Sequence, residues 1–144
     1  MDKKTLQIFE DSLARCNADQ TFLDQFYETF LASSPKVRDK FKNTDFTRQK
    51  RALRASFHMM LLAAEDKGKG KGPERYMKDL ARLHSRRELD VGAELYDLWI
   101  DSLLATVRKI DQQFNAQVEK AWEDVTMVGV SYLLSHYHDG PDRA

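Results

Sequence analysis

The sequence has few of the residues that cross-link a small fold or interrupt a helix. It contains 144 residues, among them one cysteine, three prolines and six glycines. The lone Cys16 excludes an internal disulfide framework and a metal site built from several cysteines. Prolines and glycines fall mainly between apolar-periodic runs rather than inside them. We therefore expect a single domain over residues 1–144, long enough to bury a core and a cavity within it.

Charge and hydropathy argue against two further classes of partner, nucleic acids and membranes. Lysine plus arginine equals aspartate plus glutamate at 23 each, so bulk charge does not favour nucleic acid. The longest apolar run, around 59–64, is too short to span a bilayer. The segment after Met1 lacks the apolar core of a signal peptide. We expect a cytoplasmic protein without a membrane partner. No exposed apolar stripe stands apart from the expected core, so no oligomeric state is predicted.

Apolar residues recur at three- and four-residue spacing, which predicts an all-α fold of six or seven helices. The helices are too unequal in length for a simple four-helix bundle, which favours a fold with a cavity between them. Residues suited to helix N-termini precede most of the runs. After a first helix that fades near Asn17, the predicted starts are Asp19, Ser34, Asp45, Pro73, Asp90 and Asp111.

Two segments are expected to be irregular. Residues 67–72 alternate lysine and glycine, which predicts a flexible loop at about 66–72. A phosphate-binding loop is not indicated, because the P-loop spacing and a preceding strand are absent. His136 and His138 are expected in an exposed C-terminal end, with a frayed tail at about 138–144. Trp99 and Trp122 are interpreted as core residues.

The helix that starts near Asp45 has one polar residue at the head of an apolar stripe. At about 100° per residue, Leu53 lies about 40° from Gln49 and Met60 about 20°, whereas His58 points about 180° away. Such a face suits a pocket that is dry except for one oriented hydrogen bond. An ordinary amphipathic helix with an exposed glutamine fits the same pattern.

His84 ends the helix that opens at Pro73, with Leu80 one turn before it. A histidine with an aliphatic residue one turn earlier can offer a ring nitrogen to an iron on an apolar face. A surface histidine, or a core histidine with a satisfied ring, fits equally well on this residue alone.

Several motifs, in their order along the chain, resemble those of bacterial single-domain globins. The resemblance runs from roughly Leu6 to Tyr137. Its motifs are Phe26-Tyr27-Glu28-Thr29-Phe30 through Ser34-Pro35 to Phe41, Gln49-Lys50-Arg51-Ala52-Leu53, His84, Tyr96-Asp97-Leu98-Trp99 and Ala121-Trp122. The chain is similar to the globin domain of flavohaemoglobins and to Vitreoscilla-type haemoglobins. This similarity implies a globin-like fold around a haem pocket.

The resemblance also implies roles for individual residues. His84 would be the proximal ligand of a haem b iron, with its other ring nitrogen donating to a carbonyl one turn earlier, that of Leu80. Tyr27 and Gln49 would face a bound gas. The other residues expected around the haem are Phe41, Leu53, Phe57, Val91 and Tyr96. His58 is the alternative distal residue if the register shifts, and it would then ligate iron itself.

The implied function is reversible binding of dioxygen and of other diatomic gases such as NO and CO. Three alternatives remain: a haem-based gas sensor that signals to a partner, an NO dioxygenase that depends on an external reductase, and a haem-free helical interaction module. We expect no reductase domain, because the chain carries no nucleotide-binding fingerprint. Flavohaemoglobin-type globins have a proximal glutamate where this chain has His136-Tyr137, which argues against strong peroxidase-like activation.

Overall fold

A computed structural model describes residues 1–66, 71–85 and 89–138 of the chain. Across these ranges the regular secondary structure is entirely α-helical, which confirms the predicted fold class. Seven helices follow one another: α1 Lys3–Asn17, α2 Phe22–Ser33, α3 Pro35–Lys40, α4 Phe46–Asp66, α5 Lys71–His84, α6 Ala93–Ile110 and α7 Ala116–Ser135.

The start of α3 follows directly from its sequence. Ser34 is extended at the N-cap, and its hydroxyl accepts a hydrogen bond from the Lys36 amide at 3.1 Å. Pro35 occupies the first helical position, where its missing N–H leaves no bond unmade. This cap fixes a sharp change of direction after α2, which brings α3 back against it.

Three of the predicted helix caps are wrong. The observed N-caps are Thr21, Gly92 and Asn115, each two to four residues after the aspartate expected from the sequence. Asp19 instead closes a turn, accepting hydrogen bonds from the Thr21 amide and hydroxyl. Asp90 adopts a positive φ of 54° and accepts from the Tyr137 hydroxyl. Each carboxylate satisfies donors outside the helix that follows it.

Asp111 is the third of these aspartates, and it lies at the centre of a buried polar network. Its side chain is fully buried and forms a bidentate pair with Arg15, at 2.6 and 2.9 Å. It also accepts from the Ser12 hydroxyl at 2.6 Å and from the Gln113 amide at 2.9 Å. The Trp122 indole in turn donates to Ser12 at 2.8 Å. The network joins α1 to the turn between α6 and α7.

Aromatic side chains fill the main core beside this network. The Trp122 ring lies 4.7 Å from Phe9 and 5.5 Å from Phe57, both edge to face. Phe22 from α2 completes the group, and all four side chains are almost fully buried. Helices α1, α2, α4 and α7 therefore meet in one packed cluster, which accounts for the predicted core role of Trp122.

The packing of the remaining helices leaves a cavity on one side of this core. Helix α2 packs against α6, and both α4 and α5 pack against α7. Gly129 lies inside α7 rather than at a boundary, and a Cβ at this position would come within 3.1 Å of the Met60 side chain. The absence of a side chain at Gly129 therefore leaves the space that the Met60 side chain occupies.

The segments expected to be irregular are only partly described. The predicted loop at 66–72 falls on residues 67–70, which lie outside the described residues, and its ends belong to α4 and α5. Helix α5 begins at Lys71, two residues before the predicted start at Pro73. The predicted tail lies outside the described residues from 139 onward. His136 is half-buried and lies 4.5 Å from the Tyr132 ring, so the expectation that it belongs to an exposed end is wrong.

Candidate functional site

The candidate site is a cavity of about 320 Å³ between α2, α3, α4, α5, α6 and α7. This volume lies at the lower end of the range of about 300–1,000 Å³ typical of small-molecule sites. The walls are mostly aliphatic, aromatic and methionine side chains. The polar side chains that line it are Tyr27, Lys40, Thr44, Gln49, Ser56, Tyr76, His84 and Tyr96.

His84 lines this cavity, and its ring is held by a hydrogen bond within its own helix. Its Nδ1 lies 2.8 Å from the Leu80 carbonyl oxygen, one helical turn earlier. A carbonyl can only accept, so Nδ1 carries the hydrogen and the neutral ring keeps a lone pair on Nε2. Burial lowers the pKa of His84, although the bond to Leu80 acts in the opposite direction. The side chain is therefore neutral, oriented and able to ligate a metal.

Tyr96 lies beside His84 on the same side of the cavity. The two rings are nearly parallel, with centroids 6.4 Å apart and an interplanar angle of 26°. Tyr96 is 7% exposed, and its hydroxyl oxygen has no hydrogen-bond partner among the described residues. Burial raises the pKa of this hydroxyl, so it remains a neutral donor.

Tyr27 and Gln49 line the cavity from α2 and from the first turn of α4. Tyr27 is 5% exposed, and its ring packs against Phe41 at 5.9 Å and Phe46 at 5.4 Å. Burial raises the pKa of the Tyr27 hydroxyl to about 12, and the polar side chain of Gln49 partly offsets that rise. The hydroxyl is thus a protonated donor held by aromatic neighbours.

The structure brings most of the sequence-predicted residues together. Tyr27, Phe41, Gln49, Leu53, Leu80, His84, Val91 and Tyr96 all line the cavity. Phe57 does not line it, because its side chain points into the aromatic core and contacts Trp122. His58 is exposed on the outer side of α4 and does not reach the cavity either. The alternative in which His58 faces the site is therefore not supported by its position.

Sequence reasoning missed one end of the cavity. This end lies where α4, α5 and α7 meet, and it is lined by Tyr76, Met77 and Gly129. Met60, on the apolar face of α4 that begins at Gln49, also lines it. A glycine inside an apolar helix was the available signal, since such a residue marks a close approach. Trp99, interpreted as core, also lines the cavity.

The described residues contain neither a membrane-spanning helix nor a cluster of metal-binding side chains. In the ranges described, no helix combines the length and the apolar character needed to cross a membrane. No group of three or more histidine, cysteine, aspartate or glutamate side chains in those ranges could hold a metal ion.

Comparison with known proteins identifies the family. The globin family model matches residues 24–133, about three quarters of the chain. The chain belongs to the globin family. A solved structure from Pseudomonas aeruginosa PAO1, described as structurally highly homologous to a human haemoglobin, is 38% identical, with a TM-score of 0.86. The match covers 94% of this chain and 99% of that one. No curated protein matched the chain.

Membership of the globin family implies a haem, and the residues of the cavity fit such a group. His84 offers one oriented nitrogen, the requirement for a proximal iron ligand. The walls around it are largely apolar, as a porphyrin ring requires, and Phe41 supplies an aromatic surface. The Tyr96 hydroxyl is a buried donor without a partner among the described residues. This globin thus has the donor set and the wall chemistry of a haem site.

Proposed function

We propose that this globin binds haem b through His84 and reversibly binds a diatomic gas, dioxygen in particular, beside Tyr27 and Gln49. The observation that carries the proposal is the His84 ring, fixed by its bond to Leu80, in a cavity shared with a buried tyrosine hydroxyl. When bound, a ferrous haem supplies the open coordination position that a diatomic gas requires.

On the proximal side, the chain's contribution is orientation and basicity. The Nδ1–H bond to the Leu80 carbonyl fixes the tautomer, so Nε2 would face the iron without a further proton shift. The same bond would make the ring a somewhat stronger donor to a bound iron. The nearby Tyr96 ring lies nearly parallel to the imidazole and adds an aromatic neighbour on this side.

On the distal side, the chain would supply hydrogen bonds and exclude water. The Tyr27 hydroxyl can donate to a polar diatomic ligand, and the Gln49 amide can orient that hydroxyl or donate itself. Each such bond contributes on the order of 1–2 kcal/mol. Leu53 and Val91 add apolar wall that would keep water from a ferrous iron and slow its oxidation.

The cysteine content argues against a covalently attached haem. Covalent attachment of haem through thioethers uses a C-x-x-C-H motif, whereas this sequence has a single cysteine. That residue, Cys16, is buried in α1 and does not line the cavity. We therefore propose a non-covalently held iron protoporphyrin IX.

The test is the visible absorption spectrum after addition of haemin, oxidised and then reduced with dithionite. We expect a strong haem band in the wild type and a five-coordinate reduced spectrum. His84→Ala should lose or alter the band, because the iron ligand is gone. The matched control is His58→Ala, which removes an exposed histidine from the neighbouring helix and should leave both spectra unchanged.

Each departure from these spectra has a distinct meaning. Wild-type spectra in His84→Ala would overturn the assignment of the iron ligand. A six-coordinate reduced spectrum that His58→Ala makes five-coordinate would return His58 to the distal site. No haem band after added haemin would favour the haem-free interaction module. A cytoplasmic location, an external reductase and a signalling partner remain predictions from the sequence.

A further inference from the structure

The mouth of the cavity is marked by lining residues that are also exposed to solvent. These are Lys40 at the end of α3, Ala52 on α4, Leu83 on α5 and Leu89 after it. A porphyrin is apolar over its ring but bears two carboxylates, which must remain hydrated or paired with cations. The mouth is the part of the cavity where such groups can meet water.

Lys40 is the charged side chain at this mouth. Among the described residues that line the cavity, no aspartate or glutamate and no other lysine or arginine occurs. The other polar lining groups are hydroxyls, an amide and the neutral His84 ring. The described part of the cavity therefore has a positive rim, which complements an anionic group.

The Lys40 ammonium already bridges the mouth. Its Nζ donates to the Leu89 carbonyl at 2.7 Å, joining the end of α3 to the segment between α5 and α6. An ammonium has three donors, so this bond leaves capacity for a carboxylate as well. A charge-assisted bond to a carboxylate is about twice as strong as one between neutral groups.

Neighbouring charges lie in an adjoining groove rather than in the cavity. Lys40 also borders this groove, together with Asp39, Asp90 and Glu94. Glu94 pairs with Lys36 at 2.9 Å, and Asp90 accepts from the Tyr137 hydroxyl. Glu94 and Asp90 thus have partners of their own. Asp39 contacts Lys42 at 3.5 Å.

We propose that Lys40 is a binding residue for a carboxylate of the haem at the cavity mouth. The inference rests on the proposed function, because it requires that this cavity holds haem. Since the side chain is exposed, the expected effect is small, about a two- to fivefold change in the rate of haem loss. Salt should weaken the effect, because it screens exposed charges.

The test measures transfer of haemin from the reconstituted globin to an excess of a haem-scavenging apoglobin. Lys40→Met should lose iron protoporphyrin IX about two- to fivefold faster than the wild type at low ionic strength. Lys40→Arg, which keeps the charge, should restore a slow rate. Lys36→Met is the matched control, because it removes an exposed lysine from the same helix that does not line the cavity.

A modified cofactor distinguishes two explanations of faster haem loss, a lost bond to a haem carboxylate and a lost bond to the Leu89 carbonyl. In the dimethyl ester of iron protoporphyrin IX both carboxylates are blocked, so Lys40→Met and wild type should lose the ester at equal rates. The same acceleration with the ester would overturn the inference and assign the effect to the bond across the mouth. Equal rates with the free acid would overturn it too. A wild type that takes up no haem would show no haem band at all, which contradicts the proposed function instead.

Discussion

Removing one oxygen atom, by Tyr27→Phe, tests the distal side of the proposed site most directly. The Tyr27 ring is 5% exposed and is held by Phe26 at 4.9 Å, Phe46 at 5.4 Å and Phe41 at 5.9 Å. All three contacts involve the ring, so phenylalanine should keep the position and the packing. The substitution therefore deletes the hydroxyl donor and little else.

The magnitude follows from what that hydroxyl can contribute. A hydrogen bond in a largely dry cavity stabilises a polar ligand by about 1–2 kcal/mol. At about 1.4 kcal/mol for each factor of ten, dioxygen release should accelerate roughly five- to thirtyfold in Tyr27→Phe. Carbon monoxide is a weaker acceptor, so its release should change much less. Gln49 can donate in place of the hydroxyl, which favours the lower end of this range.

The assay is stopped-flow displacement of dioxygen by carbon monoxide from the reduced, haem-loaded protein. The matched control is Tyr76→Phe, which removes a tyrosine hydroxyl from the same cavity at the end where α4, α5 and α7 meet. Its dioxygen release should equal that of the wild type. An unchanged rate in Tyr27→Phe would refute the assignment of Tyr27, as would an equal acceleration in both variants.

The pKa of Tyr27 adds a second arm to this experiment. Burial raises that pKa to about 12, so the hydroxyl stays protonated and donating through neutral and mildly alkaline pH. The donor is lost only as the pH rises through the raised pKa. Wild-type dioxygen release should therefore be independent of pH from about 6 to 10. A rise within that range that Tyr27→Phe abolishes would contradict the protonation state inferred here.

Three further predictions concern the frame around the site. Burial tends to raise the pKa of Asp111, but its hydrogen bonds hold the pKa below the usual value. Asp111→Asn should lower the free energy of unfolding, measured in urea at neutral pH, by roughly 2–4 kcal/mol. The difference should shrink as the pH falls below the usual carboxyl pKa, because the wild type then loses this stabilisation too. Gly129→Ala places a carbon 3.1 Å from the Met60 side chain, so the methionine should move into the cavity. A haemin titration should then show weaker binding, while the free energy of unfolding should change by no more than about 1 kcal/mol. Tyr137→Phe removes the donor to Asp90 and should speed hydrogen exchange at residues 89–92, at a cost of about 1 kcal/mol; unchanged exchange would contradict an anchoring role.

The helices were predictable because their signal is local. Apolar spacing and the Ser34-Pro35 pair depend on residues within one or two turns, and the structure confirms both. Asp19 failed as a cap for a local reason, because its carboxylate accepts from Thr21 two residues later, whereas the other two aspartates failed because their partners are distant. Asp111 binds Arg15, 96 positions away, and Asp90 binds Tyr137, 47 positions away. No local pattern distinguishes a carboxylate that caps a helix from one that meets a distant partner.

The same division runs through the candidate site. The bond from His84 to Leu80 spans four residues within one helix, so it could be suggested once the resemblance had assigned His84 to an iron. The end of the cavity lined by Tyr76 and Gly129 depends on how α4, α5 and α7 pack, and local sequence patterns indicate it only weakly. Phe57 shows the limit of angular reasoning, because a position some 80° from Gln49 is far enough to face the core instead.

This division has a consequence for how the two sides of the site respond to change. The proximal histidine is oriented by its own helix, so substitutions elsewhere in the core should leave its ring bond intact as long as α5 forms. The distal tyrosine is held by rings from α2, from the turn after α3 and from α4, and its position depends on how those segments pack. Under the proposed function, ligation of the iron and gas affinity would therefore be separable: the first depends on one helical turn, and the second on the packing of several elements.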